Sequence, residues 1–142
     1  MKKHLKIKQA FVTHWIPLIT WLLFIFLISS IHGSKFRLLP FNTIMEVNIE
    51  GLLSYRQAIF HIGEYGLLAI LMYRVLKLQL NHFNGFIYLL SFVITILYAI
   101  SDEAHQYFVP GRFATLIDII FDTIGIILGL CYIYLSSRLV KR

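Results

Sequence analysis

Cysteine occurs once in the 142 residues, as Cys131, and charged residues make up only 14% of the chain. A lone cysteine excludes an intrachain disulfide and a cysteine-built zinc site. The scarcity of charge is as telling, because a soluble domain is about a quarter charged. This chain has too little polar surface to cover a globule in water. Strand-like alternation is absent, and the apolar runs exceed the about 9–11 residues of a membrane barrel strand. No Ser-His-Asp pattern and no phosphate-cradling glycine loop occurs. What remains is apolar: 58% hydrophobic and 15% aromatic residues, with a mean hydropathy of +0.76. Disorder is excluded by the same figures. The chain belongs in lipid.

Four apolar stretches predict four helices. Trp15 to Ile31 carries no charged residue, and its 17 residues are near the lower limit for crossing a hydrocarbon core of ~30 Å. Phe83 to Ser101 is a second uncharged run, of 19 residues. Ile59 to Leu76 is interrupted by Glu64 and Arg74, and Thr115 to Ser137 contains Asp118 and Asp122. The Lys-rich start could open a secretory signal, but no clean small-x-small site follows Ile31, so the first span reads as an uncleaved anchor. We expect an all-α membrane protein, a four-helix transmembrane bundle forming a single domain over residues 1–142. Its spans lie at about 15–31, 59–76, 83–101 and 115–137.

The net charge of +6 needs no nucleic acid to explain it. In this topology Lys2, Lys3, Lys6, Lys8, Arg74, Lys77, Arg138, Lys141 and Arg142 share one side, and Lys35, Arg37, Arg56 and Arg112 the other. Positive charge is retained in the cytoplasm, which puts both termini inside. Between the first two spans, His32 to about Ala58 reads as a long outer segment lying on or dipping into the interface. His4, His14, His32 and His82 flank spans. Trp15, Tyr88, Tyr98, Tyr132 and Tyr134 suit lipid-facing or belt positions, and Cys131 reads as an inert small apolar residue in the fourth span.

All seven acids then fall outside, or in the outer half of a span. Glu46 and Glu50 belong to the outer segment. Glu64 lies one to two turns into the second helix, and Asp102 and Glu103 close the third. At ~1.5 Å rise per residue, Asp118 sits about 5 Å and Asp122 about 10 Å below a boundary at Thr115. A charge in the middle of a span costs on the order of 2.5–3.5 kcal/mol to insert, so such acids face the bundle interior and require partners. His61 and Glu64 share a face at i and i+3, with Tyr65 beside them. Asp102 and Gln106 are i and i+4 if the third helix reaches about Phe108, before Pro110-Gly111 breaks it. Arg112, the only basic residue of this connection, is the expected counter-ion of Asp118 or Asp122. Thr115, Asp118, Asp122, Gly125 and Gly129 form one stripe, polar above and small below. Its Gly-x-x-x-Gly pair predicts close approach of another backbone.

These residues carry a resemblance. Asp102-Glu103-x-x-Gln106-x-Phe108-x-Pro110-Gly111-Arg112, followed by Asp118, Asp122, Gly125 and Gly129, resembles the C-terminal signature of the VanZ-like family. His61-x-x-Glu64-Tyr65 resembles its second-helix motif, and Leu39 to Ile44 its segment after the first helix. Asp122 stands where relatives more often carry Asn. Ala58 and Ile59 stand where a Lys is common. The resemblance implies a four-helix integral protein of the bacterial cell membrane, in a family associated with low-level resistance to teicoplanin-type glycopeptides. It names no reaction.

We therefore expect an outer-leaflet pocket that binds or modifies an envelope component. Glu64 and Asp118 are the candidate acid/base pair, with His61, Asp102, Glu103, Gln106, Arg112 and Asp122 as binding residues. Membrane lipid, a lipid-linked cell-wall precursor or another anionic headgroup is the expected partner. A membrane-embedded acid/base enzyme, working through carboxylates that raise one another's pKa, is the alternative. His61, Glu64, His105 and the aspartates offer nitrogen and oxygen ligands. No His-Glu-x-x-His motif joins them, so no metal or other cofactor is assigned.

Overall fold

The computed structural model describes residues 11–31, 50–80, 84–112 and 115–139, with side chains from 57 in the second stretch and from 85 in the third. Four helices account for nearly all of these residues: α1, Phe11–Ser29; α2, Glu50–Gln79; α3, Asn84–Tyr107; and α4, Leu116–Leu139. No strand occurs among the described residues. Each helix is long and apolar enough to cross a membrane. That outcome follows from the solvent, because lipid offers no partner for a backbone N–H or C=O, and a helix satisfies both within itself.

Two helices begin well ahead of their apolar runs. The first starts at Phe11 with a wide π-helical turn to Trp15, then continues as α-helix from Ile16. Pro17 stands in the first α-helical turn, just past the π-helical one, and lacks the N–H that a ladder bond to Thr13 would use, while Arg74 donates to the Thr13 carbonyl at 3.4 Å. The second starts at Glu50, inside the segment expected as outer loop. Polar residues such as Glu50, Ser54 and Gln57 do not interrupt a helix; they only mark where it leaves the apolar layer. Glu46 and Leu39 to Ile44 lie outside the described residues.

The chain runs up and down. α2 and α4 start at the same end, and α1 and α3 finish there, as the contacts Ser29–Asp102 and His61–Asp122 require. The core between them is aliphatic, with Leu18, Ile25, Leu68, Ala69, Ile87, Ala99 and Ile126 almost fully buried. Ser91 and Thr95 are also buried in it, each hydroxyl donating to a carbonyl one turn earlier in α3, at 2.7 Å. Aromatic rings meet at the end remote from Asp102. Tyr73 stacks on Tyr88 at 4.5 Å, Tyr88 meets Tyr134 edge-on, and the Arg138 guanidinium lies over Tyr134.

The closest packing joins α2 to α4. A Cβ on Gly125 would meet the carbonyl oxygen of Ile62 and lie 2.8 Å from its Cα, and one on Gly129 would meet the carbonyl of Gly66. Gly66 returns the contact, since its own Cβ would lie 3.1 Å from the Gly125 oxygen. The stripe on α4 thus finds the backbone approach expected of it, against α2.

The belt positions are more mixed than expected. Tyr132 and Tyr134 are exposed. Trp15, Tyr88 and Tyr98 instead pack on the core, and the Tyr98 hydroxyl donates to the carbonyl of Leu22 at 2.8 Å. A phenol can enter an apolar bundle when its hydroxyl finds a carbonyl.

Candidate functional site

The polar residues collect at one end of the bundle, and each helix contributes. Asp102 and Glu103, adjacent in α3, face different neighbours. Asp102 is buried and accepts from Ser29 Oγ of α1 at 2.7 Å and from Gln106 Nε2 at 2.9 Å. Gln106, one turn on, also donates to Ser29 Oγ at 3.3 Å. Its own Oε1 accepts from Arg112 at 3.0 Å. Ser29, Asp102, Gln106 and Arg112 therefore form one continuous chain of hydrogen bonds.

A tight turn delivers Arg112 to that chain. The Arg112 N–H donates to the Val109 carbonyl at 3.1 Å, with Pro110 and Gly111 between them. Gly111 adopts φ of 76°, the left-handed conformation that the third position of a type II turn demands. The expected pairing of Arg112 with Asp118 or Asp122 is corrected by this geometry. Arg112 is folded back onto α3, and the side chain that meets both aspartates is His61.

His61 of α2 stands between the two acids of α4. Its Nδ1 is 2.8 Å from Asp122 Oδ1, and its Nε2 is 3.8 Å from Asp118 Oδ1. Asp118 is part-exposed and accepts from Thr115 Oγ1 at 2.8 Å, while its own N–H donates back to that hydroxyl at 3.2 Å. Thr115 thereby caps the start of α4 with its side chain, as N-cap residues do. Its N–H donates to Glu103 Oε2 at 3.0 Å, so the second acid of the Asp-Glu pair ties α3 to the start of α4.

Among the described residues, three polar atoms in this layer are buried without a hydrogen-bond partner: the Tyr65 hydroxyl, Glu103 Oε1 and Asp122 Oδ2. Glu64 differs from them. It is half-buried, its carboxylate makes no hydrogen bond among the described residues, and His61, Asp102, Asp122 and Arg112 are near enough to act on its charge. Its backbone is anchored, since Trp21 Nε1 of α1 donates to the Glu64 carbonyl at 2.9 Å.

All eight residues expected at the site thus lie at one end of the bundle, in two neighbouring groups. Ser29, Asp102, Gln106 and Arg112 form the first, and His61, Glu103, Asp118 and Asp122 the second. Glu64 stands within electrostatic reach of both. Sequence reasoning missed Ser29 and Trp21, although Ser29-Ser30 closes an otherwise apolar run at the depth of Asp102. His105 joins neither group: its Nε2 is 3.0 Å from Ser30 Oγ and its ring lies against Phe26. Sequence spacing also assigned no metal. Yet His61, Glu103 and Asp122 each present a ligand atom within 4.8 Å of the other two.

Four helices long and apolar enough to cross a membrane, with a shared layer of ionisable side chains at one end, define a class, the helical membrane protein of several spans. Within that class the chain belongs to the VanZ/LLP1 family, whose sequence model matches residues 14–137. No curated protein and no solved structure matches it.

Proposed function

We propose that the protein sits in the bacterial cell membrane with both termini in the cytoplasm and binds or modifies an envelope component through this layer. The ligand is the headgroup of a lipid or a lipid-linked cell-wall precursor, reached from the outer leaflet. The outcome is lower susceptibility to teicoplanin-type glycopeptides. One observation carries the reading. Glu64 is a carboxylate inside a membrane-length helix, half-buried and satisfied by no hydrogen bond from the described residues. A charge so placed marks a functional position, because insertion is costly and packing gains nothing from it.

The balance of charge sets the pose. Five carboxylates, those of Glu64, Asp102, Glu103, Asp118 and Asp122, share the layer with Arg112 and His61. An anionic phosphate or carboxylate is directed to the guanidinium of Arg112, which can grip it through two N–H groups. Hydroxyl and amide hydrogens of the same headgroup are directed to Glu64 and Asp118. A second reading, acid/base catalysis on that headgroup, is favoured by His61, which links two aspartates and so offers a path for a proton.

Expression in a glycopeptide-susceptible bacterial host, with mass spectrometry of wall precursors and lipids, tests both readings. A reduced susceptibility that Glu64→Gln removes, at unchanged protein level, supports the site. A new precursor or lipid species assigns chemistry, and an unchanged profile assigns binding. Unaltered susceptibility with the intact chain present in the membrane overturns the proposal.

A further inference from the structure

We propose that His61, Glu103 and Asp122 bind a divalent first-row transition-metal ion, zinc or manganese. The three come from α2, α3 and α4, and each places one nitrogen or oxygen ligand atom within 4.8 Å of the other two. Convergence of acids is not enough by itself. The second observation is the state of the two carboxylates. Glu103 is 4% exposed and Asp122 1%. Each has one oxygen engaged, Glu103 Oε2 by the Thr115 N–H at 3.0 Å and Asp122 Oδ1 by His61 Nδ1 at 2.8 Å. The other oxygen of each, Oε1 and Oδ2, is buried and has no donor.

Two orphaned carboxylate oxygens in one layer of a membrane-spanning bundle call for a cation. No side chain supplies it to Oε1 or Oδ2. A single metal ion held by the three side chains would neutralise both carboxylates at once, whereas protons would have to be taken up separately and would each then need an acceptor. The existing contact fits the exchange. Two ligands on one tetrahedral ion at 2.0–2.2 Å lie about 3.3–3.6 Å apart, so His61 Nδ1 and Asp122 Oδ1, now 2.8 Å apart, have to separate by only about half an ångström. An ion entering here takes the place of the proton these two groups share, and the longer Glu103 side chain closes the remaining distance by rotation.

Donor chemistry selects the ion. One imidazole with two carboxylates suits zinc or manganese, while calcium takes six to eight oxygens and magnesium keeps most of its water. Three protein ligands leave a coordination position open, the arrangement of reactive rather than purely structural sites. Asp118, 3.8 Å from His61 Nε2, is placed to orient the imidazole from outside the ligand set. The inference stands apart from the envelope reading, since metal content is measured with no envelope component present.

The test uses the full chain purified in detergent, loaded with Zn2+ or Mn2+, desalted and analysed by elemental mass spectrometry. One equivalent per chain is expected in the wild type and in Asp102→Asn, which removes an acid of the layer outside the ligand set. His61→Ala, Glu103→Gln and Asp122→Asn should lose the ion, and Asp118→Asn should weaken it by about 10–100-fold, as loss of an orienting partner does. Titration of the wild type with Co2+, whose visible absorption reports nitrogen and oxygen ligation, requires no variant to fold. Wild-type protein that retains no ion after desalting, with no saturable Co2+ spectrum at one equivalent, overturns the proposal. So does an equal loss of metal in Asp102→Asn.

Discussion

Gly129 of α4 faces the carbonyl of Gly66 in α2 so closely that a single methyl group on Gly129 would strike it. The same helix pair carries Asp122 and His61, less than two turns above. The polar contact is therefore set by a backbone contact beneath it, and the two sites test each other.

Gly129→Ala should destabilise the bundle, by about 1–3 kcal/mol or more, the range for overpacking a tight core. Gly125→Ala should behave alike, its Cβ lying 2.8 Å from the Cα of Ile62. Gly63→Ala, where a Cβ meets nothing within 4 Å, should be neutral or gain about 0.5–1 kcal/mol from helix propensity. Thermal unfolding in detergent separates the three. Equal stability of Gly129→Ala and Gly63→Ala would refute the packing.

Ser29→Ala removes the donor that holds Asp102 at 2.7 Å. Its expected cost is about 0.5–1.5 kcal/mol, with the lower figure favoured because interhelical hydrogen bonds in membranes average ~0.6 kcal/mol. A double-mutant cycle with Asp102→Ala, which removes the acceptor, should give a coupling energy of that size. A coupling indistinguishable from zero would detach α1 from the site.

Glu64→Gln should leave stability within about 0.5 kcal/mol of wild type, as substitutions away from structural features do. The carboxylate holds no hydrogen bond that the amide would lose. Susceptibility to glycopeptides should revert all the same. Stable, fully active Glu64→Gln protein would reduce the layer to a packing device.

Reporter fusions address orientation. Fusions at either end of the chain should report the cytoplasm, and one in the connection after α3, at Arg112, should report the outside. The positive residues carry this expectation. A carboxyl-terminal fusion active outside would invert it and move the site to the inner leaflet.

Much of the architecture was legible in the residues because lipid imposes a simple rule. Uncharged runs long enough to cross must be helices, and the runs around Trp21 and Phe92 obey it. Helix ends were less legible. Glu50 begins a helix well before its apolar part, because polarity marks the membrane boundary and not the end of backbone hydrogen bonding. The members of the site could be named from depth alone, since acids at one level of a bundle must face inward. Their partners could not. Arg112 was assigned to the aspartates by charge, whereas the turn at Pro110-Gly111 folds it onto Gln106. That choice depends on one backbone angle. Likewise no spacing rule unites His61, Glu103 and Asp122, which stand on three helices and meet only through the fold.

The ring of Tyr73, Tyr88 and Tyr134, with the aliphatic layer above it, has one more implication. Below Asp122, α4 continues with the buried Ile126 and Leu130, apolar side chains that offer a polar ligand no partner. A polar ligand of the acids is therefore expected to arrive at the end that carries Thr115 and Arg112, and to depart from it.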